Sequence, residues 1–378
     1  MMGIQKHSLQ GVGKVLDANL TFGYTILNVW FKSEVSRVSV RLADVAREAK
    51  VSLGAVSAVV NGSRSNTVVS SETQRRIIKI ARRMGYIPNS AARAVRSRRF
   101  HRVAAAVIQY GPPGASYTPY NGYIDSAVNE LAERGYSLVL EPLHLDVHDD
   151  QFFEPPRLFS ELAVDGVLGL PASGLVPAPV DEQLRNLAAP VIWMNRNPEE
   201  AVDNVVCDEA AGARQLVRHL LNLGHRRIGY LGFKTPHYSA AQRYETVRAE
   251  LLAGGMDVSG LAAADPLEAL LETTERLFGR PATPTGLICF NRIAYQTAIH
   301  VLARRGLKIP GEVSVCYFAS PWETVMTRFS ATVLEVPEEA IAVTATRMLL
   351  DRIEGKPIGE VPKPAGILHV GLTTGAAR

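Results

Sequence analysis

Two regimes of apolar spacing divide the chain. From Arg41 to about Tyr86 apolar residues recur at helical intervals in short runs, and from Val103 onward strand-length apolar runs alternate with helical stretches. In the first regime Leu42, Val45, Ala46 and Ala49 fall at i, i+3, i+4 and i+7, one face of a helix. Ser52 is a suitable N-cap for a second helix, whose Val56, Val59 and Val60 can pack on the first. A third helix is expected to open at Ser71, with Gln74 completing a capping box, Ile77, Ile80, Ala81 and Met84 as its apolar face and Gly85 as its stop. Two short helices joined at Lys50-Val51-Ser52 and followed by a third form a helix-turn-helix unit. In such a unit the second helix enters the DNA major groove with its N-terminal residues at the base edges. That makes Leu53, Gly54, Ala55, Ser57 and Asn61 candidates for base and groove contact, with Ser52, Lys50 and Arg64 candidates for phosphates.

In the second regime VAAAVIQ precedes the helical YIDSAVNELAERG and then SLVLE. DGVLGL, PVIWM, RRIGYLGF, TGLICF, EVSVCYF and ATVLEV follow, with helical stretches between most of them. Continuous apolar strands alternating with helices predict parallel sheets covered on both faces, and this many strands predicts two such units. Nothing repeats at solenoid spacing and no segment is of low complexity.

Charge sharpens the division. Residues 41–102 hold 14 Lys and Arg against 3 Asp and Glu, a net of +11, whereas residues 103–378 hold 23 against 32, a net of −9. A basic head on an acidic body is the footprint of a domain that meets a polyanion joined to one that does not. Cys207, Cys289 and Cys316 each lie in or beside an apolar run without a CxxC partner, so they read as small buried hydrophobes rather than metal ligands or a disulfide framework. The apolar LTFGYTILNVWF near the start lacks the flanks of a secretory signal and falls short of a membrane span, so a cytoplasmic protein with no membrane partner is expected. No G-x-S-x-G, P-loop, H-E-x-x-H or G-x-G-x-x-G is present, and no catalytic residue, cofactor or metal is expected.

The string RLADVAREAKVSLGAVSAVVNGS, continuing through VSSETQRRIIKIARRMGYIPNSAARAVR, closely resembles the head of the LacI/GalR (lactose and purine repressor) family of bacterial transcriptional regulators. The resemblance runs through the body and spares only the first forty residues, which are expected to be a disordered extension or translation from an upstream start. It implies a helix-turn-helix domain over 41–88, a hinge helix or linker over 89–100, and an effector-binding and dimerisation body over 101–378. That body would be related to periplasmic sugar-binding proteins. Its chain would cross between subdomains near Asn195, Ala319 and Pro337, giving one subdomain of 101–194 with 319–336 and another of 195–318 with 337–378. The implied partners are pseudo-palindromic double-stranded operator DNA, a small-molecule effector and a second copy of the chain. Within the hinge stretch NSAARAVRS, Asn89, Ala92, Val95 and Arg96 are implied DNA contacts, with Val95 standing where the family places a leucine wedge in the minor groove.

The resemblance also points to effector residues: Arg196 in MNRN, Asp208 in VVCDEAAG, Arg243 in RYET, Tyr117, Tyr120 and Asn121 after the first strand, and Trp322 after the strand ending at Phe318. Simpler readings stand beside these: Asp208 as a helix cap, Tyr120 and Trp322 as core aromatics. The sequence departs from the family at Arg292, where an aspartate is usual, and at YFAS (317–320), where carboxylates are usual. Arg196, Arg243 and Arg292 together would favour a carboxylate or phosphate on the effector, a sugar acid for example, because guanidinium pairs with such groups bidentately. An internal Arg292–Asp208 pair is the alternative.

Overall fold

A computed structural model describes residues 40–61, 69–88, 94, 99–110, 121–145, 159, 161, 163–171, 175–200, 203–327 and 330–377. The chain divides into two compact units, Met1–Arg93 and Ala94–Arg378. The extension over residues 1–39, and the expected contacts Arg64, Asn89, Ala92, Val95, Arg96, Tyr117 and Tyr120, lie outside the described residues.

The first unit contains helices α1 (Leu42–Ala49), α2 (Leu53–Asn61) and α3 (Ser71–Met84). Its small core is built from Val45, Ala46, Ala49, Val56, Ile77 and Ala81, the positions that the helical spacing selects. Asp44 accepts the Arg41 backbone N–H at 2.9 Å and so closes the first turn of α1. Lys50 ends α1 in the left-handed region (φ 52, ψ 45), a conformation that costs a residue with a Cβ about 1–2 kcal/mol. Ser52 caps α2 by accepting the Ala55 N–H at 3.2 Å. Helix α3 opens at Ser71 as expected, and its cap is Ser70, which accepts from Thr73 N at 3.4 Å. The Gln74 side chain bonds the Val69 carbonyl at 2.9 Å instead of the cap N–H, so no capping box forms there.

The second unit holds two sheets. The first runs β2 (Ser137–Leu145), β1 (Arg102–Tyr110), β3 (Gly166–Pro171), β4 (Val191–Met194), β5 (Asn204–Val205), all parallel. Helix α4 (Asn121–Glu133) packs on one face of it and α5 (Ala178–Arg185) on the other. The second runs β11 (Ile367–His369), β10 (Thr332–Glu335), β9 (Ser314–Ala319), β8 (Gly286–Cys289), β6 (Ile228–Phe233), β7 (Leu261–Ala264), parallel except for β11. Helices α6 (Glu209–Asn222) and α7 (Tyr238–Ala253) cover one of its faces, and α8 (Leu270–Phe278) and α9 (Arg292–Arg304) the other. A short helix α10 (Pro321–Thr327) separates β9 from β10, and α11 (Glu338–Ile353) follows β10.

The expected subdomain boundaries need correction. Helix α11 buries Ile341, Ala345 and Leu349 in the core of the first sheet, together with Tyr123, Ala127 and Leu131 of α4. Strand β10 pairs with β9 in the second sheet, with Thr332 opposite Cys316. Residues 319–336 therefore belong with the second sheet and α11 with the first, the reverse of the expected partition. Crossing does occur at Pro337, but not at Ala319, and the first passage comes after β5 rather than at Asn195. The physical cause is parallel pairing: β5 still hydrogen-bonds to β4, and β10 continues the sheet begun by β9.

Candidate functional site

The face of the first unit that could meet a polyanion is assembled by the α1–α2 turn and the basic flank of α3. Ser52, Leu53 and Gly54 open α2 on its exposed side, with Leu53 52% exposed. Arg75, Arg76, Lys79, Arg82 and Arg83 are exposed along α3, and Arg83 pairs with Glu48 of α1. Ala55 and Ser57, on the next positions of α2, are each only 7% exposed. Asn61 is the last residue of α2.

The second site is a cavity of about 620 Å³ at the carboxyl ends of β6, β8 and β9, closed by residues at the start of α11. Phe233, Phe290, Phe318 and Trp322 supply aromatic walls, and Thr235, His237, Ser239, Asn291 and Ser320 supply hydroxyl, imidazole and amide groups. Arg243, Arg292, Glu323 and Glu338 are its charged lining. His237 caps α7 and is tied to the opposite half of the cleft, its Nε2 lying 3.1 Å from the Asn195 carbonyl. Burial holds that imidazole below its ordinary range, so at neutral pH it is uncharged. Tyr238 strengthens the tie: its hydroxyl donates to Asn195 Oδ1 at 2.5 Å and accepts the Cys207 N–H at 3.1 Å.

Both cavity arginines have protein partners. Arg243 is 6% exposed and makes a bidentate pair with Glu209, at 2.6 Å and 3.0 Å, while donating to the Phe290 carbonyl at 2.9 Å. Its guanidinium also lies 4.0 Å over the Phe318 ring. Arg292 Nε lies 2.9 Å from Glu323 Oε1, and its guanidinium sits 5.8 Å from the Trp322 ring. The alternative of an internal Arg292–Asp208 pair is not found: the carboxylate beside Arg292 is Glu323. Asp208 is instead the N-cap of α6, accepting the Ala211 N–H at 2.8 Å.

Arg196 is elsewhere. It is 3% exposed, pairs with Asp181 at 2.7 Å, lies 4.5 Å over Trp193 and lines a separate cavity of about 470 Å³ beside α5. The preceding residue, Asn195, adopts the left-handed region (φ 61). Asn121 begins α4 exposed and is not among the cavity's lining. Of the expected effector residues among those described, Arg243, Arg292 and Trp322 reach the cavity and Arg196, Asp208 and Asn121 do not. Glu323, Glu338 and His237 were not anticipated. Glu323 and Ser320 form a reciprocal capping box, with Ser320 N to Glu323 Oε2 at 2.9 Å and Glu323 N to Ser320 Oγ at 3.3 Å, so its sequence signal is that of a helix start.

Burial holds the thiols of Cys207, Cys289 and Cys316 far above their ordinary value, which keeps them unreactive. Among the described residues no group of His, Cys, Asp and Glu could hold a metal ion, and no helix is long and apolar enough to cross a membrane.

The bacterial regulatory proteins of the lacI family match residues 41–89, and the periplasmic binding protein-like domain matches residues 217–371. The chain belongs to the LacI family. The transcriptional regulator CelR of Thermobifida fusca is 29% identical over 321 residues, covering 82% of this chain and 91% of CelR. A solved transcriptional regulator CelR–cellobiose complex matches with a TM-score of 0.59 at 25% identity, over 88% of this chain and 99% of that one. The lac repressor dimer bound to operator and the anti-inducer ONPF shares the fold, with a TM-score of 0.70 at 20% identity over 89% of this chain and all of that one. This LacI-family chain is a sequence-specific, DNA-binding transcriptional regulator controlled by a small-molecule effector, and it is not an enzyme.

Proposed function

We propose that this regulator is a homodimeric repressor that binds a pseudo-palindromic operator and is controlled by a neutral carbohydrate in the cleft between its two sheets. The observation that carries the ligand reading is charge balance. Arg243 is answered by Glu209 and Arg292 by Glu323, so no cation of the described lining is left over for a carboxylate or phosphate. Four aromatic side chains beside hydroxyl, amide and carboxyl groups suit a ring with apolar faces and hydroxyl edges. CelR, bound to cellobiose in its structure, supports the same reading. An anionic effector such as a sugar acid is thus the less favoured ligand.

In this reading Ser52, Leu53 and Gly54 meet the operator, the α3 arginines hold its phosphates, and a hinge over 89–100 carries Val95 as the minor-groove wedge. One head supplies a single reading helix, and two-fold symmetry doubles it. Such a protein acts on chromosomal DNA in the cytoplasm, at the nucleoid when bound. Calorimetry against cellobiose, other neutral saccharides, sugar acids and sugar phosphates tests the ligand. Preferential binding of a neutral saccharide that also alters operator affinity is the expected result, and preferential binding of a sugar acid would overturn it. Selection from random duplexes should return a two-fold symmetric site, and recovery of an unsymmetric half-site would overturn the dimer.

A further inference from the structure

Glu338 opens α11 where the chain leaves the second sheet and returns to the first. It lines the cavity yet is only 6% exposed. Its carboxyl lies against the start of α4, where the Gly122 backbone N–H bonds it and where a Cβ on Gly122 would collide with Oε2. Only a glycine leaves room for this approach. The other charged or titratable groups around it are Glu323 on α10, Glu335 on β10, Tyr123 on α4 and Glu339 on its own helix. Beyond them, Arg292 is held by Glu323 and His369 lies 3.5 Å from Glu335. No cation among the described residues lies within ion-pair distance of Glu338. An unpaired carboxylate at such a site, with two more carboxylates nearby, is disfavoured against its neutral acid.

We propose that Glu338 faces the cleft as a carboxylic acid and donates its proton in a hydrogen bond to an uncharged oxygen of the effector, making it a determinant of specificity for hydroxyl-rich ligands. Burial, followed by Glu323 and Glu335, pushes its pKa up to about 8 from the ordinary 4.5, against the opposing Gly122 hydrogen bond. An acid there offers one donor and one acceptor, the pairing that a sugar hydroxyl or ring oxygen can meet. A carboxylate would offer acceptors only and would repel an anionic effector. The inference deepens the carbohydrate reading and rests on it.

Two measurements on the full chain separate the two claims. The first needs no ligand: the melting temperature of wild type is compared with that of Glu338→Gln from pH 5 to 9. Because the folded pKa is raised, the wild-type acid stabilises the fold at low pH and loses that contribution as pH rises from 4.5 through about 8. The melting temperature of wild type should therefore fall relative to Glu338→Gln over that interval and then run parallel to it. A constant difference from pH 5 to 9 means that Glu338 ionises normally, and overturns the proposal.

The second is titration with cellobiose and the neutral saccharides. Wild-type affinity should fall by up to about tenfold per pH unit above about 8, as the donor is lost. Glu338→Leu should weaken binding about threefold to tenfold at pH 6, and Glu338→Gln should restore what leucine loses while flattening the pH profile. A pH profile in Glu338→Gln identical to that of wild type overturns the donor role. If the ligand-free arm behaves as expected but every neutral saccharide fails and a sugar acid binds, the carbohydrate reading has failed, and the donor assignment to its hydroxyls falls with it.

Discussion

At the scale of the residue, the buried pair Arg243–Glu209 decides how the cleft is built. Their side chains are 8% and 1% exposed, so each charge depends on the other. Removing one partner strands the other in a low-dielectric site, which typically costs about 3–5 kcal/mol. Glu209→Ala should lower unfolding free energy in urea by about that amount. Replacing the pair together, by Glu209→Gln with Arg243→Met, should cost clearly less, because no lone charge remains. Lys50 is the smaller counterpart in the head. Its left-handed backbone suits glycine, and Lys50→Gly should stabilise the turn by up to about 1 kcal/mol, measured by hydrogen exchange in α1, while removing one candidate phosphate contact.

At the scale of the element, helix α3 and the C-terminal strap make separate predictions. The exposed Arg75, Arg76, Lys79 and Arg82 lie on a helix whose other face is fixed in the core by Ile77 and Ala81. Each lysine or arginine that truly neutralises a phosphate contributes about 0.9 to the slope of log affinity against log salt. Arg75→Ala with Lys79→Ala should reduce that slope by up to about 2, and equally on operator and random DNA. The strap runs over residues 371–377: His225 Nε2 lies 2.9 Å from Ser314 Oγ and 3.1 Å from the Gly375 carbonyl, while Thr332 N donates to Thr373 Oγ1 at 2.9 Å. Burial lowers the pKa of His225 below the ordinary 6.5, so the folded state takes up the proton less readily than the unfolded chain. Stability is then complete above 6.5 and falls as pH drops through it. Thermal melts between pH 7.5 and 5 should show that loss, and His225→Gln should flatten it.

At the scale of the whole molecule, the two-unit organisation predicts separable activities. A chain lacking residues 41–98 should retain effector affinity within about twofold and lose DNA binding in mobility-shift assays. Much of this organisation was legible. Leu42, Val45, Ala46 and Ala49 could bury only by forming a helix, and runs such as LICF and VSVCYF were too short and too apolar for anything but central strands. The cleft was less legible, because its chemistry depends on approach between distant segments. Arg292 looked unpaired until α10 placed Glu323 beside it. Arg196 looked like a ligand group until the fold placed Asp181 of α5 beside it. The subdomain partition failed for a related reason: local pattern identifies α11 as a helix but does not say which of two apolar sheets it covers.

The position of α11 has a consequence for synthesis. The first sheet's strands, residues 102–205, leave the ribosome long before the helix that seals one of their faces. At 5–20 residues per second the interval is on the order of ten seconds. Throughout it Val103, Ala105, Leu168 and Ile192 have only α4 to shield them, although in the finished protein each is 1% exposed or less. A nascent chain stalled before residue 338 is therefore a natural client for a chaperone. Nonsense truncations that remove α11 should yield aggregates rather than weakened repressors.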